Sequence, residues 1–275
     1  MLSAMTARAH VILSAYNQLD SLRLAARGYL RQTTNDFALT VADDGSRDGT
    51  QEFLREFARE FESRGIKFRH VWHEDDGFRK GTIVNEAVYQ EGVEPLLIFA
   101  DGDCIPPARF VEGHLAVHEP WSFHVGGTHR LSKEVSASIT AEDVDSGRFE
   151  TLGDATHRKA LRRLRRKSFW GTLFRRRRRP KMLGLNFAMD RDLYVALNGL
   201  DERFRVYGME DTDLGDRAMR MSPRARVKNL YTINDNYHLW HEQSPGGRAE
   251  SLEFYAQTDH PPRCELGLDA RDQSA

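Results

Sequence analysis

Four short apolar runs recur through the first hundred residues at intervals of about 30 residues, the length of a β-α-β unit. They are Val11-Ile12-Leu13, Ala38 to Ala42, Phe68 to Trp72 and Leu96 to Ala100. Segments of helical period separate them. Leu19, Leu22, Ala26, Tyr29 and Leu30 share one face of the first segment. Phe53, Leu54, Phe57 and Phe61 share a face of the second, with Thr50 placed to cap it, and Ile83, Val84, Ala87 and Val88 mark the third. The strand runs are continuously apolar rather than alternating, as expected where both faces are covered. The pattern therefore predicts an α/β fold in one domain, with a mostly parallel sheet flanked by helices. Ligands gather at the carboxyl ends of the strands in such a sheet. Asp43-Asp44, Asp75-Asp76 and Asp101-Gly102-Asp103 stand at three of those ends.

The second half is less regular. Phe123 to Thr128 and Met182 to Met189 read as strands, and Asp211 to Met221 as a helix with Leu214, Ala218 and Met221 inward. From Ser244 the chain is polar and contains Pro245-Gly246-Gly247, so 244–275 reads as a mobile tail.

Composition narrows the function classes. With 40% hydrophobic and 29% charged residues, the chain matches an ordinary soluble enzyme. A net charge of −1 gives no whole-molecule field towards nucleic acid or membrane. Cys104 and Cys264 cannot build a disulfide framework, and no Cys/His finger spacing accompanies them. No apolar run approaches the ~20 residues that span a bilayer, and the first residues hold no signal-peptide core. The expectation is a cytoplasmic protein whose membrane contact, if any, is peripheral on the inner face of the cytoplasmic membrane.

Two carboxylates one residue apart on a turn after a buried strand can hold a hard cation, Mn²⁺ or Mg²⁺, and leave coordination positions for phosphate oxygens. Asp101-Gly102-Asp103 meets that description, although an isolated Asp-Gly turn more often simply ends a strand. Glu210-Asp211 opens a helix, where the dipole favours an ionised carboxylate by ~0.3–1 kcal/mol. Such a group can take a proton from an attacking hydroxyl. Acidic residues at helix starts also occur for stability alone.

The company these motifs keep is more specific. Ser14-Ala15-Tyr16-Asn17 closes the first strand and Asp43-Asp44-Gly45-Ser46 the second. Asp76-Gly77-Phe78-Arg79-Lys80-Gly81 with Asn85, and Phe99-Ala100-Asp101-Gly102-Asp103-Cys104-Ile105-Pro106, follow in order. Asn198-Gly199-Leu200-Asp201-Glu202-Arg203-Phe204 and Tyr207-Gly208-Met209-Glu210-Asp211 complete the series. From Val11 to His241 the chain resembles the family 2 glycosyltransferases of GT-A fold, in a bacterial branch that builds surface polysaccharides. Its carboxyl-terminal region is similar to that of galactosyltransferases.

The resemblance implies a GT-A domain over 1–243, with a nucleotide-sugar-binding half at about 9–104 and an acceptor-binding half at 105–243. It implies inverting transfer of a hexose or N-acetylhexosamine from a nucleoside-diphosphate sugar, UDP-linked, to a saccharide or lipid-linked saccharide in surface polysaccharide or lipopolysaccharide synthesis. Ser14, Tyr16, Asn17, Asp43 or Asp44, Arg79, Asn85, Asp101 and Gly102 would bind the donor. Asp101 and Asp103 with His241 and His238 would hold the metal. Asp211 would be the base beside Glu210, and Tyr207, Gly208 and Met209 would line the acceptor site. Tyr207 stands where the family usually has Trp, and Met209 where a Gly is common, so the identity of the acceptor does not carry over.

One feature falls outside that pattern. Of the 40 Lys and Arg residues, 13 lie between Arg158 and Lys181, with Leu161, Leu164, Trp170, Leu173 and Phe174 among them. Such a segment can lie on anionic lipid at ~1 kcal/mol per basic residue, or form a solvated loop over the active site. Nucleic acid is not expected, because no helix-turn-helix, RNA-recognition or finger pattern accompanies the charge. Two rival functions differ in class: a sugar-1-phosphate nucleotidyltransferase, and a non-catalytic membrane or nucleic-acid adaptor on the same fold. The first needs a Gly-rich basic loop where this chain has Tyr16-Asn17-Gln18-Leu19, and the intact carboxylates argue against the second.

Overall fold

The computed structural model describes residues 7–90, 94–152, 155–174, 181–221, 223–242 and 247–271. The predicted β-α-β series is present: β1 (Ala9–Ala15), α1 (Leu19–Leu30), β2 (Phe37–Asp43), α2 (Thr50–Ser63), β3 (Lys67–Trp72), α3 (Lys80–Gln90) and β4 (Leu96–Asp101). β5 (Cys104–Ile105), α4 (Phe110–Leu115), β6 (Ser122–Val125), β7 (Thr128–Arg130), α5 (Lys133–Ser138), α6 (Ala141–Ser146) and α7 (Ala155–Leu173) follow. The chain continues through β8 (Phe187–Asp190), α8 (Arg191–Ala196), α9 (Glu210–Arg220), β9 (Arg226–Asn229), β10 (Asn236–His238) and α10 (Gly247–Gln257).

Seven strands form the main sheet in the order β3-β2-β1-β4-β8-β6-β9. β3, β2, β1 and β4 run parallel, whereas β8 is antiparallel to both β4 and β6. The register sets Ser14 beside Asp101 and Ala15 beside Asp43, so three acidic or polar turns share one edge. Val11, Leu13 and Ile98 pack on one face against Leu22, Tyr29 and Phe57, while Ile12, Leu97 and Phe99 pack on the other against Ile83, Tyr194 and Leu214. Each such buried side chain contributes roughly 1.5–3 kcal/mol. β3 departs from the both-faces expectation, because it is the edge strand and leaves Trp72 exposed.

Local differences from the sequence reading have physical causes. Gly49, at φ 92°, takes the cap position of α2, and Asp48 Oδ1 accepts from Thr50 Oγ1 at 2.6 Å. Thr50 is therefore the first residue of the helix rather than its cap, and its backbone N–H also donates to Asp48 Oδ1, at 3.2 Å. The predicted strand from Phe123 to Thr128 is two strands in different sheets, split at Gly126-Gly127. A Cβ on Gly126 would lie 2.3 Å from Asn186 Oδ1, which only glycine avoids. The strand expected from Met182 begins only at Phe187, since Lys181 to Leu185 are diverted to line a cleft.

The tail expected to be mobile is packed over 249–271. Tyr255, His260 and Cys264 are buried, and Tyr255 and His260 are bonded to α9. Its polar composition conceals these few apolar and hydrogen-bonded anchors.

Candidate active site

The small sheet β5-β10-β7 carries the first half of the site. Cys104 pairs with His238, which draws β10 over the turn after β4. His238 Nε2 and His241 Nε2 consequently approach Asp103 Oδ2 at 3.4 and 3.3 Å. One ligand atom from each of the three lies within 4.8 Å of the others. Although burial opposes ionisation of Asp103, the pull of His238 and then His241 outweighs it and holds the carboxyl below its usual range. A carboxylate converging with two imidazoles is a donor set suited to Mn²⁺ and to its transition-metal competitors. His241 is half-exposed, which leaves the group open to a cavity of about 490 Å³ bordered by Arg130, Trp240 and Glu242.

Asp101 does not join that cluster. Its Oδ1 accepts from Ser14 Oγ at 2.6 Å and from Lys80 Nζ at 2.6 Å. Gly102 donates its N–H to Ser14 O at 2.7 Å, and a Cβ there would stand 3.1 Å from that oxygen. Burial would lower Lys80, but Asp101 and Glu210 outweigh it and raise its affinity for the proton. The motif around Asp76 to Gly81 gives Lys80 no role of its own. Its signal was available, as the first residue of a helix opening towards the sheet's carboxyl edge.

Glu210 and Asp211 open α9 and line a second cavity, a cleft of about 360 Å³, together with Lys80 and Asp101. Asp211 Oδ2 accepts from Gly184 N at 2.7 Å, and Oδ1 from Thr212 N at 2.6 Å and Thr212 Oγ1 at 3.2 Å. Glu210 Oε2 accepts from Gly208 N at 3.0 Å, and its own backbone N–H also bonds the carboxyl. Burial, then repulsion from Asp211, pushes Glu210 up to about 7, and burial raises Asp211 also. The richer donor set makes Asp211 the better-held anion of the pair and leaves the shared proton on Glu210. Tyr207 is 56% exposed and sits edge-on to Phe78 at 6.3 Å; Met209 is buried behind it.

The other predicted donor residues divide. Tyr16 is exposed and its hydroxyl donates to Asp75 at 3.1 Å. Asn17, left-handed at φ 47°, donates its N–H to Ser46 Oγ at 2.9 Å and accepts from Arg47 N through Oδ1 at 2.9 Å, tying the first two turns together. Asp43 is buried, with Ser46 N at 2.8 Å and His70 Nε2 at 3.0 Å on its two oxygens. Asp44 holds His73 Nε2 at 2.6 Å and the Arg79 N–H at 2.9 Å. The Arg79 side chain donates to Glu74 O, and its buried Nε is a donor without a partner among the described residues.

Asn85 is not in the cleft. It is fully buried, donating to Leu200 O and Glu202 Oε1 at 2.8 Å each and accepting from Tyr194 OH at 2.6 Å. Its amide satisfies the backbone of the Asn198–Leu200 turn, a structural task that motif spacing cannot separate from a binding one.

α7 packs on the domain through Leu161, Leu164 and Ser168. Phe169, Trp170, Leu173 and Phe174 are 50–61% exposed at its end. Arg175 to Arg179 lie outside the described residues. No helix among the described residues is long and apolar enough to cross a membrane.

Comparison with known proteins agrees with this fold. The family described as "Glycosyl transferase family 2" matches residues 10–181, and "N-terminal domain of galactosyltransferase" matches residues 167–242. No curated protein matches the chain. Among solved structures, it is similar to the mannosyltransferase PcManGT from Pyrobaculum calidifontis in complex with GDP-Man and Mn²⁺, at 17% identity and TM-score 0.60. That match covers 93% of this chain and 66% of the other. S. aureus TarS 1–349 in complex with UDP-GlcNAc is similar at 15% identity and TM-score 0.58, over 97% and 70%. GalNAc-T7 with UDP, GalNAc and Mn²⁺ is similar at 12% identity and TM-score 0.60, over 91% and 48%. At these identities the structures testify to a shared GT-A fold. With more than half its length matched by the family profile, the chain belongs to glycosyl transferase family 2.

Proposed function

We propose that the protein is an inverting, metal-dependent glycosyltransferase that moves a hexose or N-acetylhexosamine from a UDP-linked sugar to a saccharide hydroxyl. The observation that carries this reading is a pair of differently built carboxylate centres in two cavities that share Arg130. Asp103 converges with His238 and His241 at the first, and Asp211, held by three donors, lines the second. The complexes of the similar enzymes with nucleotide sugars and Mn²⁺ support the same assignment.

In this reading Asp103, His238 and His241 hold Mn²⁺ or Mg²⁺, which neutralises charge on a diphosphate leaving group when bound. Lys80 places a cation beside Asp101 on the cleft floor. Tyr16, Asp44 and Arg79 form the nucleoside end, and the unpartnered Arg79 Nε supplies a donor there. Asp43 supports that end from behind through His70. Asp211 takes the acceptor hydroxyl proton as its oxygen attacks the anomeric carbon. The acceptor is a saccharide or lipid-linked saccharide of surface polysaccharide or lipopolysaccharide synthesis. The exposed aromatics and basic face of α7 rest on the anionic inner leaflet of the cytoplasmic membrane.

Donor hydrolysis assayed across UDP, GDP and dTDP sugars tests the reading. A UDP sugar should be turned over with Mn²⁺, EDTA should abolish turnover and added Mn²⁺ restore it. Full turnover in EDTA would overturn the metal assignment.

A further inference from the structure

The segment from Gly247 to Arg271 lies beyond both family matches, which end at residues 181 and 242. Yet it reaches the cleft. Leu252 of α10 lines the same cavity as Glu210 and Asp211, and is 46% exposed there. It shares that wall with Tyr207, which is 56% exposed, and with half-buried Leu183 and Leu185. The cleft therefore has a charged floor and an apolar rim.

The rim is fixed rather than loosely draped. Tyr255 OH donates to the buried Asp216 of α9, and His260 Nδ1 lies 2.7 Å from Asp213 Oδ1, one turn after Glu210. Phe254 packs edge-on against Phe204 at 4.9 Å, and Tyr255 clusters with Met209, directly under the Tyr207 loop. At the far end, Arg271 donates to Thr82 O at 2.8 Å and pairs with Glu86, both on α3, the helix that begins with Lys80. One segment thus braces both helices whose first residues furnish the cleft's charges.

We propose that this segment is a working part of the acceptor site, with Leu252 the residue that selects acceptors carrying an apolar group beside the reacting sugar. The inference rests on the glycosyltransferase reading above and adds the substrate class: an amphiphilic glycoside rather than a free sugar. A half-exposed leucine and an exposed tyrosine lining one open cleft leave apolar surface in water, and a ligand's apolar group removes it from water. A free sugar offers little such surface, and an alkyl or lipid aglycone offers much.

The probes are hexyl β-glucopyranoside and methyl β-glucopyranoside, titrated against the full chain with UDP and Mn²⁺ and followed by saturation-transfer NMR. The wild-type protein should bind the hexyl glycoside at least tenfold more tightly. Leu252→Gln keeps the side-chain length and half-exposed position but removes apolarity, and should cut the preference to about twofold or less. Leu252→Met should restore it. A melting curve of each variant confirms folding. Equal affinity for the two glycosides, including no binding of either, overturns the proposal, as does a preference that survives Leu252→Gln. Hydrolysis of UDP sugars in the same wild-type preparation separates the two readings. If it is absent, the transferase reading fails; if it is present without an alkyl preference, only the role of Leu252 fails.

Discussion

Lys80 Nζ and Asp101 Oδ1 meet at 2.6 Å on the cleft floor, joining the start of α3 to the end of β4. Asp101 also receives Ser14 Oγ at 2.6 Å, so this carboxylate is fixed by an ammonium from α3 and a hydroxyl from β1. The ammonium in turn balances Glu210 and Asp211 across the cleft. Lys80→Met should therefore do two things. Breaking a fully buried pair costs ~3–5 kcal/mol. The loss should be smaller here because the two side chains remain 18% and 20% exposed, and urea denaturation measures it. UDP-sugar turnover should also fall, with Lys80→Arg recovering part of it. Unchanged turnover in Lys80→Met would remove the residue from the catalytic account.

Asp211→Asn preserves shape while deleting the proton acceptor. Turnover should drop ~10²–10⁴-fold, the usual range for a general base. UDP binding, measured by calorimetry, should persist, because Asp211 is not among the residues of the Asp103 cluster. A variant with wild-type turnover would sink the base assignment.

Glu210 carries a signature in stability. Its carboxyl is raised from an ordinary 4.5 to about 7 by burial and by Asp211. The folded state thus binds this proton more tightly than the unfolded chain does. The resulting stabilisation is present in full below pH 4.5 and is lost as pH rises through about 7. Glu210→Gln carries a permanently neutral amide, so its thermal midpoint should exceed that of the wild type at pH 8, with the difference shrinking towards pH 5. Scanning fluorimetry across that interval checks it, and parallel pH curves for the two proteins would contradict it.

For α7, four large apolar side chains stand 50–61% exposed beside exposed Arg162, Arg163, Arg165 and Arg166. Trp170 and Phe174 stack at 5.9 Å and form the protruding edge. Trp170→Ser with Phe174→Ser should release the protein from phosphatidylglycerol-containing vesicles in a flotation assay, while hydrolysis of a UDP sugar in solution continues. Added salt should weaken wild-type binding, since surface charge is screened over about 8 Å at physiological ionic strength. If the wild type does not float with vesicles at low salt, this face has another use.

The sequence by itself determined the alternating architecture and the location of the acidic edge at the strands' carboxyl ends. Continuous apolar runs of strand length such as Val11 to Leu13 and Leu96 to Ala100, recurring at β-α-β intervals, fit strands buried on both faces. That placement puts Asp43 and Asp101 at one carboxyl edge regardless of other details. Motif order added Asp211 and the two histidines, because short-range chemistry is written in adjacent residues. Tertiary structure alone decided the rest. Asn85 and Asp101 both stand in motifs, yet the fold spends the first on a buried turn and pairs the second with Lys80 instead of placing it among the metal-ligand candidates. The polar segment after Ser244 gave no periodic signal, since its hold on α9 and α3 depends on isolated contacts from Tyr255, His260 and Arg271. Hydrophobic period is a property of neighbours along the chain, and it survives in sequence. Which carboxylate meets which cation across a cleft depends on strand order and register over a hundred residues or more, and no local pattern encodes it.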